Sequence, residues 1–169
     1  MKDLDRPEFN SEDIMVMSYS VPLVPLPASL KSRLMARLQL PKLNIEFNTS
    51  LEFQQLLLQP IESLITIVNT IETWQLFPAP LGSTYAPWKV DASNRQVAFF
   101  LRVPTAGTLP SHRHASGEVV LVLEGDFVSN GITYQAGDRS ISAAQTIHQP
   151  TTQGCLVLCI SSLDDEECI

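Results

Sequence analysis

The sequence predicts an all-β sandwich or barrel with a short helical extension on its N-terminal side. Turn-forming clusters recur at roughly ten-residue spacing from Pro78 to Asp138, with strand-like runs such as Ala98-Phe99-Phe100-Leu101 between them. Asn130-Gly131, set between Phe127-Val128 and Ile132-Thr133-Tyr134, is the strongest hairpin signal in the chain. Before about residue 62, two short apolar-patterned segments each run into a proline, Pro41 and Pro60.

Composition agrees with one domain plus an appendage. The chain has 169 residues, of which 44% are hydrophobic and 17% charged, which excludes wholesale disorder and a coiled coil. No apolar run approaches the about 18 residues that a spanning helix requires. The first six residues carry acids where a secretory signal would carry bases, so a soluble cytoplasmic protein is expected.

The elements follow in order. Residues 1 to about 20 are an acidic lead, and Val21-Pro22-Leu23-Val24-Pro25-Leu26-Pro27 is an extended strap, since its prolines forbid helix. In residues 28–39, Leu30, Leu34, Met35 and Leu38 share one helical stripe and Lys31, Arg33 and Arg37 cover much of the rest. Docking of this helix on its own domain is favoured over a membrane or a partner surface. Thr49 and Glu52 have the spacing of a capping box ahead of a second short helix that Pro60 closes. Leu64-Ile65-Thr66-Ile67-Val68 is β-branched and is read as the start of the strand regime, which lasts to about residue 162. The expected division is 1–62 for the tail, strap and two helices, 63–163 for the barrel, and 164–169 for an acidic C-terminal tail.

The net charge of −7 is confined to the ends. Residues 1–20 contribute −3 and Asp164-Asp165-Glu166-Glu167 contributes −4, leaving a neutral body. Such a body has no electrostatic footprint for nucleic acid or anionic lipid, so neither partner is expected. The three cysteines have no disulfide-scaffold spacing. Cys155 and Cys159 read as small buried hydrophobes on one strand face, and Cys168 as an exposed, unreactive thiol.

All three histidines fall in the β region. His112 and His114 are two apart and so project from one strand face. Glu118 follows past the small Ala115-Ser116-Gly117, and His148 comes 30 residues later, enough chain to return to the same cavity. Three neutral imidazoles and one carboxylate suit a divalent transition metal with positions left open. A His-x-His pair alone is common by chance and often lies on a surface. The weight rests on the joint pattern with Glu118 and the surrounding glycines. Arg113 alternates with the histidines and should point away from them. For Arg102 a surface ion pair is favoured over a role in binding a carboxylate. Glu124 and Asp126, flanking Gly125, read as solvated turn residues. Gly-rich phosphate loops are absent, and no Ser/His/Asp order is compelling.

Gly107-(4)-His112-Arg113-His114-(3)-Glu118-(6)-Gly125 closely resembles the first motif of the cupin superfamily. The second cupin motif is matched at Gly137 and His148, but Ala143-Ala144-Gln145 stands where the family has Pro-x-Gly, and Thr152 where it has Asn. The resemblance implies a double-stranded β-helix (jelly-roll) barrel and makes His112, His114, Glu118 and His148 the metal ligands. It also implies a homodimer. A narrower likeness, through Trp74, Pro78-Ala79-Pro80-Leu81-Gly82, Leu109-Pro110-Ser111-His112 and the strap and helix at 21–37, is to the cupin domain of ChrR-type anti-sigma factors. The zinc-binding set of the anti-sigma domain is missing, because residues 1–60 contain neither His nor Cys. The resemblance therefore implies a ChrR-like regulatory or sensing domain holding one divalent transition metal per chain, with zinc first and Fe, Mn, Ni or Cu behind it. A protein partner would engage the N-terminal strap and helix. The alternative is a small metal-dependent enzyme, a dioxygenase acting on a small molecule.

Overall fold

The computed structural model describes residues 49–168. The expected acidic lead, proline strap and basic helix therefore lie outside the described residues. The second helix, α1 (Leu51–Leu57), is capped by Ser50, whose hydroxyl accepts from the Phe53 N–H at 3.3 Å. The cap thus sits one residue later than the Thr49–Glu52 spacing predicts. Thr49 Oγ1 instead donates to Gln96 Oε1 at 2.9 Å, joining this end of the helix to the sheet.

Leu64-Ile65-Thr66-Ile67-Val68 is not a strand. It lies within α2 (Ile61–Asn69), which starts directly after Pro60. Leu64 and Val68 are one turn apart and both are buried, with Ile61, Ile65 and Ile67 packed around them. β-Branching costs a helix only tenths of a kcal/mol per residue, whereas burying a Leu or Val contributes about 1.5–3 kcal/mol. Tertiary packing of one face wins.

Twelve strands follow: β1 (Gln75–Leu76), β2 (Thr84–Asp91), β3 (Gln96–Val103), β4 (Gly107–Thr108), β5 (His112–Arg113), β6 (Glu118–Ser129), β7 (Ile132–Gln135), β8 (Arg139–Ser142), β9 (Ile147–His148), β10 (Thr151–Thr152), β11 (Cys155–Ser162) and β12 (Glu166–Glu167). The larger sheet runs β1-β2-β3-β11-β6-β10-β4, with β7 and β8 also on β6, and a smaller sheet runs β12-β5-β9. Every pairing is antiparallel. The result is the predicted all-β jelly roll with its helical extension.

The twelve-residue β6 organises the barrel by pairing with β7, β8, β10 and β11 in turn. Glu124-Gly125-Asp126, read as a turn from sequence, lies inside this strand. Opposite β11, Leu156 faces Glu124 and Val157 faces Val122, so Leu123 is an extra residue and the strand bends there. The Asn130-Gly131 hairpin forms as predicted, both residues having the positive φ of a two-residue loop (52° and 76°).

Both faces of the central strands are covered, which explains why β11 is a continuous buried run rather than an alternating one. Phe100, Leu121 and Leu158 meet Phe53, Leu64 and Val68 of the helices. On the other face, Leu101, Val120 and Val157 pack with Cys155 and Cys159. The two cysteines share a face as predicted, and burial pushes both thiols up, Cys155 to about 11. Cys168, expected to be exposed, is half-buried, because its N–H donates to the Ser111 carbonyl at 2.8 Å. The acidic residues before it fold back along the barrel, where Glu166 pairs with Arg113 and Glu167 with His112 in the β12–β5 ladder. Among the described residues Arg102 forms no ion pair of the kind expected; its guanidinium stacks over Trp74 at 4.5 Å. No described helix is long and apolar enough to cross a membrane.

Candidate metal centre

The four residues picked out by spacing converge on one point. β5 supplies His112, the residue after it is His114, Glu118 opens β6, and β9 supplies His148. His112 and His148 are direct cross-strand partners, which sets their imidazoles side by side. The chain leaving β5 is held by His114 N–H donating to the Thr146 carbonyl at 3.0 Å and by Gln145 N–H donating to the His114 carbonyl at 2.6 Å. Gln145 has φ 63°, so it takes the left-handed conformation at the place where the second cupin motif has glycine. Its side-chain amide donates to the Ala115 carbonyl at 3.0 Å, which offsets part of the strain. The turn before His148 thus forms without Pro-x-Gly.

Each imidazole is oriented through its outer nitrogen. Nδ1–H of His112 donates to the Pro110 carbonyl at 2.9 Å and that of His114 to the Asp165 carboxylate at 3.3 Å, while Nδ1 of His148 lies 2.8 Å from the Ser129 hydroxyl, which can accept a hydrogen bond from it. With the proton on Nδ1, every Nε2 offers a lone pair to the centre. His148 Nε2 lies 3.0 Å from the Nε2 of both His112 and His114. Glu118 Oε2 lies 3.8 Å from His114 Nε2 and 3.6 Å from His148 Nε2.

This arrangement fits a metal. Donors at about 2.1 Å from a common cation, at angles of about 90–110°, stand about 3.0–3.4 Å apart. The two His148 Nε2 pairs, at 3.0 Å, meet this spacing, Glu118 Oε2 stands a few tenths of an ångström wider, and all four candidate donor atoms lie within 4.8 Å of one another. Converging lone pairs repel unless something positive lies between them. A divalent cation would satisfy all three imidazoles together, and Glu118 would supply one negative charge.

Electrostatics carry the same signature. Burial holds His148 down to about 3, helped by the neighbouring His112 and His114. His112 is also lowered, by burial first and then by His114, against the Pro110 hydrogen bond. For His114 burial acts in the same sense, but the Asp165 hydrogen bond and the carboxylates of Glu118 and Asp165 outweigh it and raise the group. Burial lifts Glu118 to about 7. Three imidazoles and a carboxyl group set this deep are costly without a shared partner.

Asp165 escaped the sequence reading. It is buried enough for desolvation to oppose its charge, yet hydrogen bonds from His114, Ser161 and the Ala115 N–H (2.8 Å) keep it lowered. Only its place in an acidic run hinted at it, and a run of acids near a chain end reads first as a solvated tail. Ser129, which orients His148, had no sequence signal at all. As expected, Arg113 is exposed and lies outside the cluster. Phe77, Phe99 and Phe127 line a cavity beside His112 and Glu118, while Trp88 and Phe100 pack on the helix side. Thr152, in the place of the motif's Asn, is buried and donates to the Asp126 carbonyl at 2.6 Å.

Comparison with known proteins agrees with this architecture. Among solved structures, the complex of Rhodobacter sphaeroides SigE with the anti-sigma ChrR matches at 20% identity, with a TM-score of 0.50, covering 89% of this chain and 76% of that one. An RmlC-like cupin from Ralstonia eutropha matches at 19% identity and a TM-score of 0.49, covering 53% of this chain. An acetylacetone dioxygenase from Acinetobacter johnsonii matches at 15% and 0.48, covering 53% of this chain and 67% of that one. The matched part spans 62% of the Ralstonia chain, less than two thirds of its length. No curated protein matches the chain. Residues 63–162 match the model of the ChrR cupin-like domain, and the chain belongs to that family.

Proposed function

We propose that this chain is a metal-binding cupin domain of the ChrR-like regulatory or sensing type. One divalent transition metal per chain, zinc first, would be held by His112, His114, Glu118 and His148. The observation that carries this reading is the convergence of the three Nε2 atoms and the Glu118 carboxylate on one point, with each Nδ1 held by a hydrogen-bond partner on the outer side. When bound, such a metal supplies a Lewis-acidic centre with positions open to a small ligand. The chain's own residues do the rest: Asp165 orients His114, Ser129 orients His148, and Glu118 offsets charge.

Residues 1–62 are proposed as an extension through which a protein partner is engaged, residues 63–163 as the barrel, and 164–169 as its acidic end. The ChrR of Rhodobacter is found with a sigma factor, and a protein partner for this chain is proposed on that likeness. A homodimer is proposed from the superfamily resemblance. The second reading is a small metal-dependent dioxygenase, favoured by the cavity that reaches His112 and Glu118. Elemental analysis of protein prepared without added metal tests both. Zinc supports the regulatory reading; iron, manganese, nickel or copper with substrate-dependent oxygen uptake supports the enzyme; a metal-free protein that takes up none of them refutes both.

A further inference from the structure

The cavity beside the histidine cluster has walls and an edge of different chemistry. Its volume is about 200 Å³, and Phe77, Phe99, Leu101, Leu109, Val120 and Phe127 are among its walls. A dry cavity of about 150 Å³ lined by aliphatic and aromatic side chains is enough to hold benzene. The polar lining is dominated by carboxylates: Glu118 and Asp165 near the imidazoles, and the exposed Glu166 and Glu167 of β12. No lysine or arginine lines it among the described residues. The field of Glu167 reaches His112. The three carboxylates of Asp165, Glu166 and Glu167 keep the cavity negative without metal whatever the state of Glu118, and with Glu118 they outweigh a divalent cation.

We propose that this cavity takes a small, largely apolar molecule that is uncharged or cationic, and rejects anions of the same shape. An anion entering would lose its hydration among apolar walls with no cationic side chain to replace it, and would pass the β12 carboxylates on the way. An uncharged ring loses little water and gains contact with the phenyl and leucyl walls. A cationic head would be left facing Glu166 and Glu167. The proposal rests on the metal-site reading only for what the ligand meets at the inner end of the cavity.

Benzyl alcohol, benzylamine and benzoate share one ring and differ in charge. Each would be titrated into the full chain, metal-free and zinc-loaded, with zinc content measured on the same samples. Methyl NMR shifts of Leu101, Leu109 and Val120 are the readout. Benzyl alcohol and benzylamine are expected to shift these methyls at millimolar concentration, and benzoate to bind at least tenfold more weakly. The double variant Glu166→Gln/Glu167→Gln should narrow that gap. Benzoate binding as tightly as benzyl alcohol in either form, or no probe reaching these methyls, overturns the proposal. Failure of the protein to take up zinc would sink the metal reading alone, since the ranking of probes in the metal-free protein still decides this one.

Discussion

Asp165 lies 51 residues beyond His114 in the chain, yet its carboxylate sits 3.3 Å from that imidazole's Nδ1. The contact arises because the chain after β11 turns back to place β12 against β5. It fixes the tautomer that leaves Nε2 free, and it keeps a negative charge behind the ring. Asp165→Asn should therefore weaken zinc binding about 10- to 100-fold while the β-rich circular dichroism spectrum stays unchanged. A chelator competition measures the affinity. The nitrogen chemical shifts of His114 separate loss of orientation from general damage, because only the former moves its tautomer. Wild-type affinity in the variant would remove Asp165 from any positioning role.

His112→Ala and His148→Ala each delete one Nε2 donor from a site built on three. Metal content should fall sharply in both, with the fold retained, because the rings contribute to the site and not to either apolar cluster. Inductively coupled plasma analysis of the purified variants measures the effect. Full stoichiometry in His148→Ala would show that the donor set is wrong.

Glu118 and His148 pull the metal-free protein in opposite directions with pH. Burial raises Glu118 from an ordinary 4.5 to about 7, so its contribution to stability is complete below 4.5 and is lost as pH rises through about 7. His148 is lowered from 6.5 to about 3, so its contribution is present above 6.5 and is lost as pH falls towards 3. Glu118→Gln removes the first, leaves the burial of His148 in place, and takes one raising carboxylate from His114. Relative to wild type, the metal-free variant should gain on the order of 3 kcal/mol between pH 4.5 and pH 8, read from urea unfolding at each pH. The same variant should bind zinc more weakly, since the anionic donor is gone. Parallel stability curves for the two proteins would show that Glu118 does not ionise in this window.

The barrel was legible because turn chemistry is local: Asn130-Gly131 reports its own φ values wherever it stands. His112, His114, Glu118 and His148 were legible because their spacing survives the departures from the second motif. What replaces that motif's glycine was not, since nothing in Ala143-Ala144-Gln145 announces that Gln145 adopts φ 63°. The helix at Ile61–Asn69 was misread because its β-branched residues favour a strand in isolation, and only the sheet face beneath Leu64 and Val68 reverses the preference. Asp165 and Ser129 were invisible for a related reason. Their roles depend on β12 and β6 passing the imidazoles, and that is a property of topology, not of local sequence.

Gly125 and Gly131 both have positive φ, 73° and 76°, but their surroundings differ, and this separates conformational strain from close approach. A Cβ at Gly131 would meet nothing within 4 Å. Gly131→Ala should then cost only the left-handed penalty of about 1–2 kcal/mol. At Gly125 the same Cβ would lie 1.9 Å from the Gly154 carbonyl oxygen, backbone that cannot swing aside as a side chain would. β6 and β11 would have to separate where Cys155 faces Gly125, disturbing the strand that carries Glu118. Gly125→Ala should cost at least about 3 kcal/mol, the scale of strain plus a displaced ladder, and should lower metal retention as well. Unfolding midpoints of the two variants, measured side by side, test this. Equal midpoints would mean that β6 and β11 can part at this position without penalty.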